Sequence, residues 1–325
     1  MNETRRTLLS ALETGAATGP ALADELGVSR AAVWKQVDAL REAGFEIEST
    51  PDGYAVTSVP AYGAAAIEYE LEAPYTVEYH ESIGSTNDRA RERAADGDRD
   101  IVVVADEQTG GRGRLERSWD SPPGGIWAST VLDPTLPAAH VPLVTLAAGV
   151  AVVDACRAVG VEATLKWPND VLVGDAPDSR RGDADATTDA ARGGQKLAGI
   201  LTEMEGEADR VSWLLVGVGL NANIAPEALP NDATSLQEQI GAVDRRAVLQ
   251  TILESLSALV AAPETIIEQW RAYSSTLGRT VRVDTGRNEI EGKAVDVQFP
   301  GALVVDTDSG EEVVHAGDCE HLRPV

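Results

Sequence analysis

Apolar positions recur at helical spacing from the start of the chain, in "RRTLLSALE" (5–13), "ALADELG" (21–27) and "SRAAVWKQVDALREAG" (29–44). In the third segment Ala32, Val33, Val37 and Leu40 share one face of a helix of about 3.6 residues per turn. Ser29 is placed to cap its N-terminus and Gly44 to stop it. Strand-like alternation then takes over in "FEIESTPDGYAVT" (45–57), around a Pro-Asp-Gly turn that predicts a hairpin. Three helices followed by a hairpin predict a winged helix-turn-helix. A small helical packing domain is the alternative.

Residues 58–74, "SVPAYGAAAIEYELEAP", read as a linker. Beyond them "IVVVADEQ" (101–108), "ATLKW" (163–167) and "WLLVGVGLNA" (213–222) read as strands, and 141–160 and 245–260 as helices. The class is therefore α+β, with a mixed α/β centre. Residues 174–195 have no large apolar side chain and read as a flexible acidic insertion. After Gly278 the runs "RTVRVDT", "IEGKAVDVQ", "ALVVDT" and "EEVVHAG" alternate with turn signals and predict a small β-barrel. The expected domains are 1–62, 63–276 and 277–325. No apolar run approaches the roughly eighteen residues of a membrane span, so a soluble chain without membrane contact is expected.

Charge changes this picture. In 325 residues, 53 acidic side chains face 27 basic ones, for a formal charge of −26. Only Lys35, Lys166, Lys196 and Lys293 are lysines, a balance that suggests a salt-adapted, halophilic source. The N-terminus lacks a secretory pattern, so a cytoplasmic location is expected. Cys156 and Cys319 form no disulfide framework, and His80, His140, His315 and His321 lack metal-site spacing. Residues 1–60 carry five basic and nine acidic side chains, an unusual balance for a DNA-binding module. Arg30, Lys35 and Arg41 in the third helix leave a weakly basic face for DNA, with Arg30 and Lys35 the candidate contacts.

Against that acidity, "EQTGGRGRLERSWDSPPGGIW" (107–127) gathers Arg112, Arg114 and Arg117 among glycines, between Trp119 and Trp127. Glycine admits sharp turns and close approach, and guanidinium forks suit carboxylate and phosphate oxygens. The pattern reads as an anion clamp; it is no P-loop, because GxxxxGK[ST] is absent. Solvated surface arginines are the alternative. "LKWPNDVLV" (165–173) sets Lys166, Asn169 and Asp170 at a turn, and Lys196 opens "KLAGILTE". Ser85, Thr86 and Asn87 precede a predicted helix, where they can cap it or hold a small polar group.

Taken in order, "SIGSTND", "EQTGGRGRLERSWDSPPGG", "KWPNDV", "KLAGIL" and "VGVGLNAN" resemble the biotin protein ligases. The winged segment in front resembles their bifunctional branch, which also represses transcription. The resemblance covers nearly the whole chain. It implies a class II synthetase-like catalytic domain and a C-terminal SH3-like barrel. It also implies two half-reactions: biotin and ATP, with Mg²⁺, give biotinyl-5′-AMP and pyrophosphate, and a lysine of a biotin carboxyl carrier protein then displaces AMP. Ser85, Thr86, Asn87, Gln108, Arg112, Gly113, Arg114 and Lys196 match the family's biotin and adenylate contacts, with Trp119 walling the pocket. Lys166, Asn169 and Asp170 match the nucleotide and metal side, Asp170 as a Mg²⁺ ligand or as the group that orients the incoming lysine. Lys196, Arg112, Arg114 and Asp170 are the expected catalytic residues, and Gly199 and Gly219 are expected to permit close approach. A homodimer in the liganded state and operator DNA are the implied partners. The family pattern GRGRxGRxW is broken at Glu116, which stands where a glycine is usual. The rival readings are a lipoate-type ligase and a biotin-sensing regulator without ligase activity.

Overall fold

The computed structural model of the chain describes residues 3–13, 15–133, 137–174, 194–207 and 210–322. The first element group is α1 (Glu3–Glu13), α2 (Gly19–Leu26), α3 (Arg30–Glu42), β1 (Glu46–Thr50) and β2 (Gly53–Ser58). The Ser29 hydroxyl accepts from the Ala32 N–H at 3.2 Å, and Gly44 follows the helix at φ 94°. Val33, Val37 and Leu40 bury against Leu8, Leu9, Leu12 and Leu22, whereas Ala32 is only half-buried. The hairpin docks on this core because Tyr54 exchanges two backbone bonds with Ala17, at 2.9 and 3.0 Å. Gly53 is required there: a Cβ would fall 2.1 Å from the Ala17 carbonyl oxygen.

The segment expected to be a linker is instead packed. It contains α4 (Ala64–Glu68), with Ala66, Ile67 and Tyr69 buried. Glu68 has a side chain only 1% exposed; it accepts from the Val77 N–H at 2.7 Å and meets Arg6 of α1 at 3.4 Å. Pro60, Gly63 and Pro74 punctuate the stretch and disguise this short buried run.

The central sheet holds β3 (Thr76–Ile83), β4 (Ile101–Gln108), β5 (Ile126–Leu132), β6 (Ala163–Lys166), β7 (Asp170–Val173), β8 (Gln195–Glu207) and β9 (Arg210–Leu220). Their order is β3-β4-β5-β9-β8-β7-β6, with β3–β4 parallel and the other pairs antiparallel. On one face lies α5 (Thr86–Ala95). On the other lie α6 (Val141–Ala158), α8 (Arg245–Ala261) and α9 (Ile266–Tyr273), following the short α7 (Leu236–Ile240). Both faces are covered, so the first five residues of β4, 101–105, are apolar and buried: Ile101 and Val103 pack with Ala90 and Ala94 of α5, and Val102 and Val104 with the α6 core.

The α6 region corrects one expectation. Ala138–Ala158 has a mean hydropathy of 1.7 and the length to cross a membrane, but 72% of its best window is buried inside the protein. Its apolarity is that of a core helix packed between the sheet and α8.

The C-terminal strands β10 (Thr280–Asp284), β11 (Glu289–Gln298), β12 (Ala302–Thr307), β13 (Gly310–Val314) and β14 (Asp318–His321) form an antiparallel sheet in the order β13-β12-β11-β10-β14. The short β14 was not legible from alternation. The Trp167 indole N–H donates to the Gly301 carbonyl at 3.0 Å, fastening this sheet to the central domain. Of the insertion expected at 174–195, residues 175–193 lie outside the described residues; its end is shorter than expected, because Gln195 already belongs to β8, paired with Val173 of β7.

Candidate functional site

A cavity of about 270 Å³ opens where the start of α5, the arginine-glycine loop, the turn before β7, and β8 and β9 converge. Ser85 caps α5 through the Asp88 N–H, so the following polar side chains project from a fixed helix start. The Thr86 N–H and hydroxyl both donate to Gln108 Oε1, at 2.8 and 2.9 Å, and Gln108 Nε2 donates to Ser121 Oγ at 3.0 Å. Ser129 donates from beneath to Thr86 Oγ1 at 2.7 Å.

Asn87 is held from both ends. Its Oδ1 lies against Ser129 Oγ and its Nδ2 donates to Glu203 at 2.7 Å. From Glu203 a chain of charges runs outward: Arg91 bridges Glu203 at 2.7 Å and Asp88 at 3.0 Å, and Asp88 also accepts from Arg112. The floor of the cavity is thus linked to the loop above it.

The cations of the site all rest on partners. Lys196 Nζ sits 2.6 Å from Asp170 Oδ1 and 5.0 Å from the centre of the Trp119 ring. Arg114 donates to Asn169 Oδ1 at 3.0 Å and to the Gly317 carbonyl at 2.7 Å, and burial pulls its guanidinium below the ordinary arginine range. Arg117 pairs with Asp318 at 2.6 Å. The Asn169 amide is itself fixed, donating to the Ile200 carbonyl at 2.8 Å.

Trp119 forms a wall of the cavity, and its indole N–H is buried without a hydrogen-bond partner among the described residues. Glycines make room for it. A Cβ on Gly219 would stand 2.8 Å from Nε1, and one on Gly199 would stand 3.3 Å from the ring. The close approach expected at these two positions is therefore that of Trp119. Gly217 does the same for Asn87, whose Oδ1 would lie 2.3 Å from an added Cβ.

The structure brings Ser85, Thr86, Asn87, Gln108, Arg112, Gly113, Arg114, Trp119, Asn169, Asp170, Lys196, Gly199 and Gly219 to this one cavity. Lys166 is the exception. It is 7% exposed on β6, outside the cavity lining, with its charge felt by Cys319. Asp170 stands without two further metal-type side chains, since no group of three or more His, Cys, Asp or Glu occurs among the described residues. The Glu116 side chain lies outside the described residues. Sequence reasoning missed Gly217, Ser129, Glu203, Asp88 and the 317–318 turn. The first two lie inside strands, where only pairing reveals their neighbours, and the last arrives from another domain. Both cysteines are buried.

In the winged domain Arg30 and Lys35 are exposed. Arg41, counted with them in the sequence, instead donates to the Ile47 carbonyl at 3.0 and 2.6 Å and to Ser49 Oγ at 3.2 Å, tying α3 to the hairpin.

Comparison with known proteins agrees with this architecture. Residues 79–221 match the Biotin/lipoate A/B protein ligase family, 4–55 an HTH domain, and 276–322 the Biotin protein ligase C terminal domain. The Bifunctional ligase/repressor BirA of Bacillus subtilis (strain 168) is 34% identical over 321 residues, covering 93% of each chain. The Biotin--[acetyl-CoA-carboxylase] ligase of Mycobacterium tuberculosis is 37% identical over 258 residues, 74% of this chain and 86% of that one. The structure of biotin protein ligase from Aquifex aeolicus in complex with biotin and ATP aligns with a TM-score of 0.61 at 26% identity, covering 76% of this chain and 99% of that one. With a relative above 30% identity matched along nearly its whole length and the site motifs gathered in one cavity, the chain belongs to the biotin protein ligase family, in the form that carries an N-terminal helix-turn-helix domain.

Proposed function

We propose that this chain joins the carboxylate of biotin to the α-phosphate of ATP, releasing pyrophosphate, and then passes biotin from biotinyl-5′-AMP to the amine of a lysine on a biotin carboxyl carrier protein, with AMP leaving. The observation that carries this reading is the placing of Lys196 and Arg114 in one cavity with Asp170 and Asn169 as their partners. Two anions meet in the first step, and fixed cations offset their repulsion as charge builds on the α-phosphate. Lys196 and Arg112 now rest on carboxylates, which an anionic ligand replaces. When Lys196 turns to the ligand, Asp170 is released beside the acyl carbon, where it accepts a proton from the incoming lysine ammonium. The Trp119 N–H, without a hydrogen-bond partner among the described residues, offers a further donor to a ligand oxygen.

Asp170 would be the residue to hold Mg²⁺ brought in with the nucleotide, an ion that characteristically takes only one or two protein carboxylates. When bound, the ion supplies charge neutralisation to the phosphates. Arg114 and Arg117 fasten the loop to the 317–318 turn and so cover the cavity, which excludes water from the hydrolysable anhydride. The winged domain is read as an operator-binding repressor module that dimerises when the catalytic site is filled. The site of action is read as the cytoplasm, at high salt.

The test is to incubate the purified chain, at low and high salt, with biotin, MgATP and a carrier domain. Transfer of biotin to the carrier lysine with matching pyrophosphate release is expected. Absence of both would favour a regulator without ligase activity; activity with lipoate in place of biotin would favour the lipoate-type reading.

A further inference from the structure

Most basic side chains of the winged domain are committed inside the fold. Arg5 donates to Gln36 at 2.8 Å, Arg6 meets buried Glu68, and Arg41 ties α3 to the hairpin. Arg30 and Lys35 remain exposed, with no ion pair or hydrogen bond to their side chains among the described residues. Between them stands Trp34, 57% exposed, the one large hydrophobic side chain exposed among the described residues of this domain.

These residues share one surface of α3. Arg30 and Trp34 are four apart, and Ala31 lies three before Trp34 and four before Lys35, so all four face outward along the first two turns. Asp38, one turn further on, would repel phosphate, so the N-terminal half of α3 is the part suited to a DNA groove. That is also the half from which recognition helices reach base edges. Two cations neutralise few phosphates, which keeps the sequence-independent part of binding small. Discrimination must then come from contact with the bases themselves, and an indole offers a broad apolar face to the thymine methyl in the major groove.

We infer that Trp34 is the specificity-determining residue of the winged domain, seating its indole on thymine C5-methyl groups in the major groove of duplex DNA. The inference rests on the DNA-binding reading above, and it names the residue and the base feature that residue reads.

The test uses the full chain with biotin and MgATP, selecting from a randomised duplex pool. The wild type should enrich a site with thymines in each half-site, and remaking that site with deoxyuridine, which lacks the methyl, should raise Kd at least about fivefold. Trp34→Ala should lose preference for the selected over a scrambled duplex by roughly tenfold or more, with no added effect of deoxyuridine. Its biotin transfer and its ligand-dependent sedimentation should match the wild type. Retained preference with retained deoxyuridine sensitivity in the variant overturns the role of Trp34 alone. Loss of self-association in the variant overturns it too, making Trp34 an interface residue. If the wild type enriches no sequence, the DNA-binding reading itself falls and this inference with it.

Discussion

Lys196 Nζ and Asp170 Oδ1 form an ion pair of 2.6 Å within the cavity, across neighbouring strands β8 and β7. Once a ligand separates the pair, the cation serves the first half-reaction and the carboxylate the second, so the two residues should fail differently when removed. Lys196→Ala should cut biotin-dependent pyrophosphate release by roughly a hundredfold or more, as expected for one lost electrostatic stabiliser. Asp170→Asn should retain more of adenylation than of transfer to the carrier. Equal losses in both half-reactions for Asp170→Asn would remove it from the proton-accepting role.

Gly217 and Asn87 supply a second test, because the missing Cβ at position 217 is what leaves space for the amide. Gly217→Ala would push a methyl against Asn87 Oδ1 and disturb its bonds to Ser129 and Glu203. Overpacking of this kind should cost about 1–3 kcal/mol of stability. Denaturant unfolding and biotin KM should shift together. A normal KM in a destabilised variant would mean that the Asn87 network supports the fold without shaping the biotin site.

The cysteines predict an alkaline response. Burial pushes the thiols of Cys156 and Cys319 up from an ordinary 9.0 to about 12. The folded chain keeps both protonated at pH values where the unfolded chain ionises them. Their contribution to stability is therefore complete below pH 9 and declines as pH rises from 9 towards 12. Alkylation at pH 8 should be roughly a hundredfold slower or more in native protein than in denaturant. Rapid labelling of native protein would mean that one thiol is accessible.

Much of the site was legible because its chemistry is local in sequence. Ser85 to Asn87, the loop arginines and the turn before β7 each lie within a few residues of a glycine, a proline or a cap that marks them. Lys196 stood out because lysine is scarce here. What could not be read was long-range. Glu203 meets Asn87 across 116 residues, and Gly317 meets Arg114 across 203. The fold followed the same division: continuous apolar runs revealed β4 and β9, whereas β3, with a polar outer face, and the short β14 gave little signal. The run 64–69 was hidden because five residues of helix are too few for a periodic pattern.

Arg114 spans two domains, with one nitrogen on Asn169 in the central domain and another on the Gly317 carbonyl. Arg117 repeats the tie at Asp318. Arg114→Ala removes a cation from the cavity and one of the two fasteners; Asp318→Asn weakens the other and leaves every loop arginine in place. If closure by these ties protects biotinyl-5′-AMP, both variants should release it faster, measured as biotinylation of a bystander protein relative to the carrier. Arg114→Ala should also slow adenylation by roughly tenfold to a hundredfold, through lost charge stabilisation. Asp318→Asn should leave adenylation within about a factor of three of the wild type, since an exposed ion pair contributes little energy by itself. Gly317 cannot be varied for this purpose, because a Cβ there would lie 2.6 Å from Val283 Cγ1 and 2.8 Å from the Asp284 carbonyl oxygen. Unchanged selectivity in both variants would mean that contact between the loop and the C-terminal sheet has no part in retaining the intermediate.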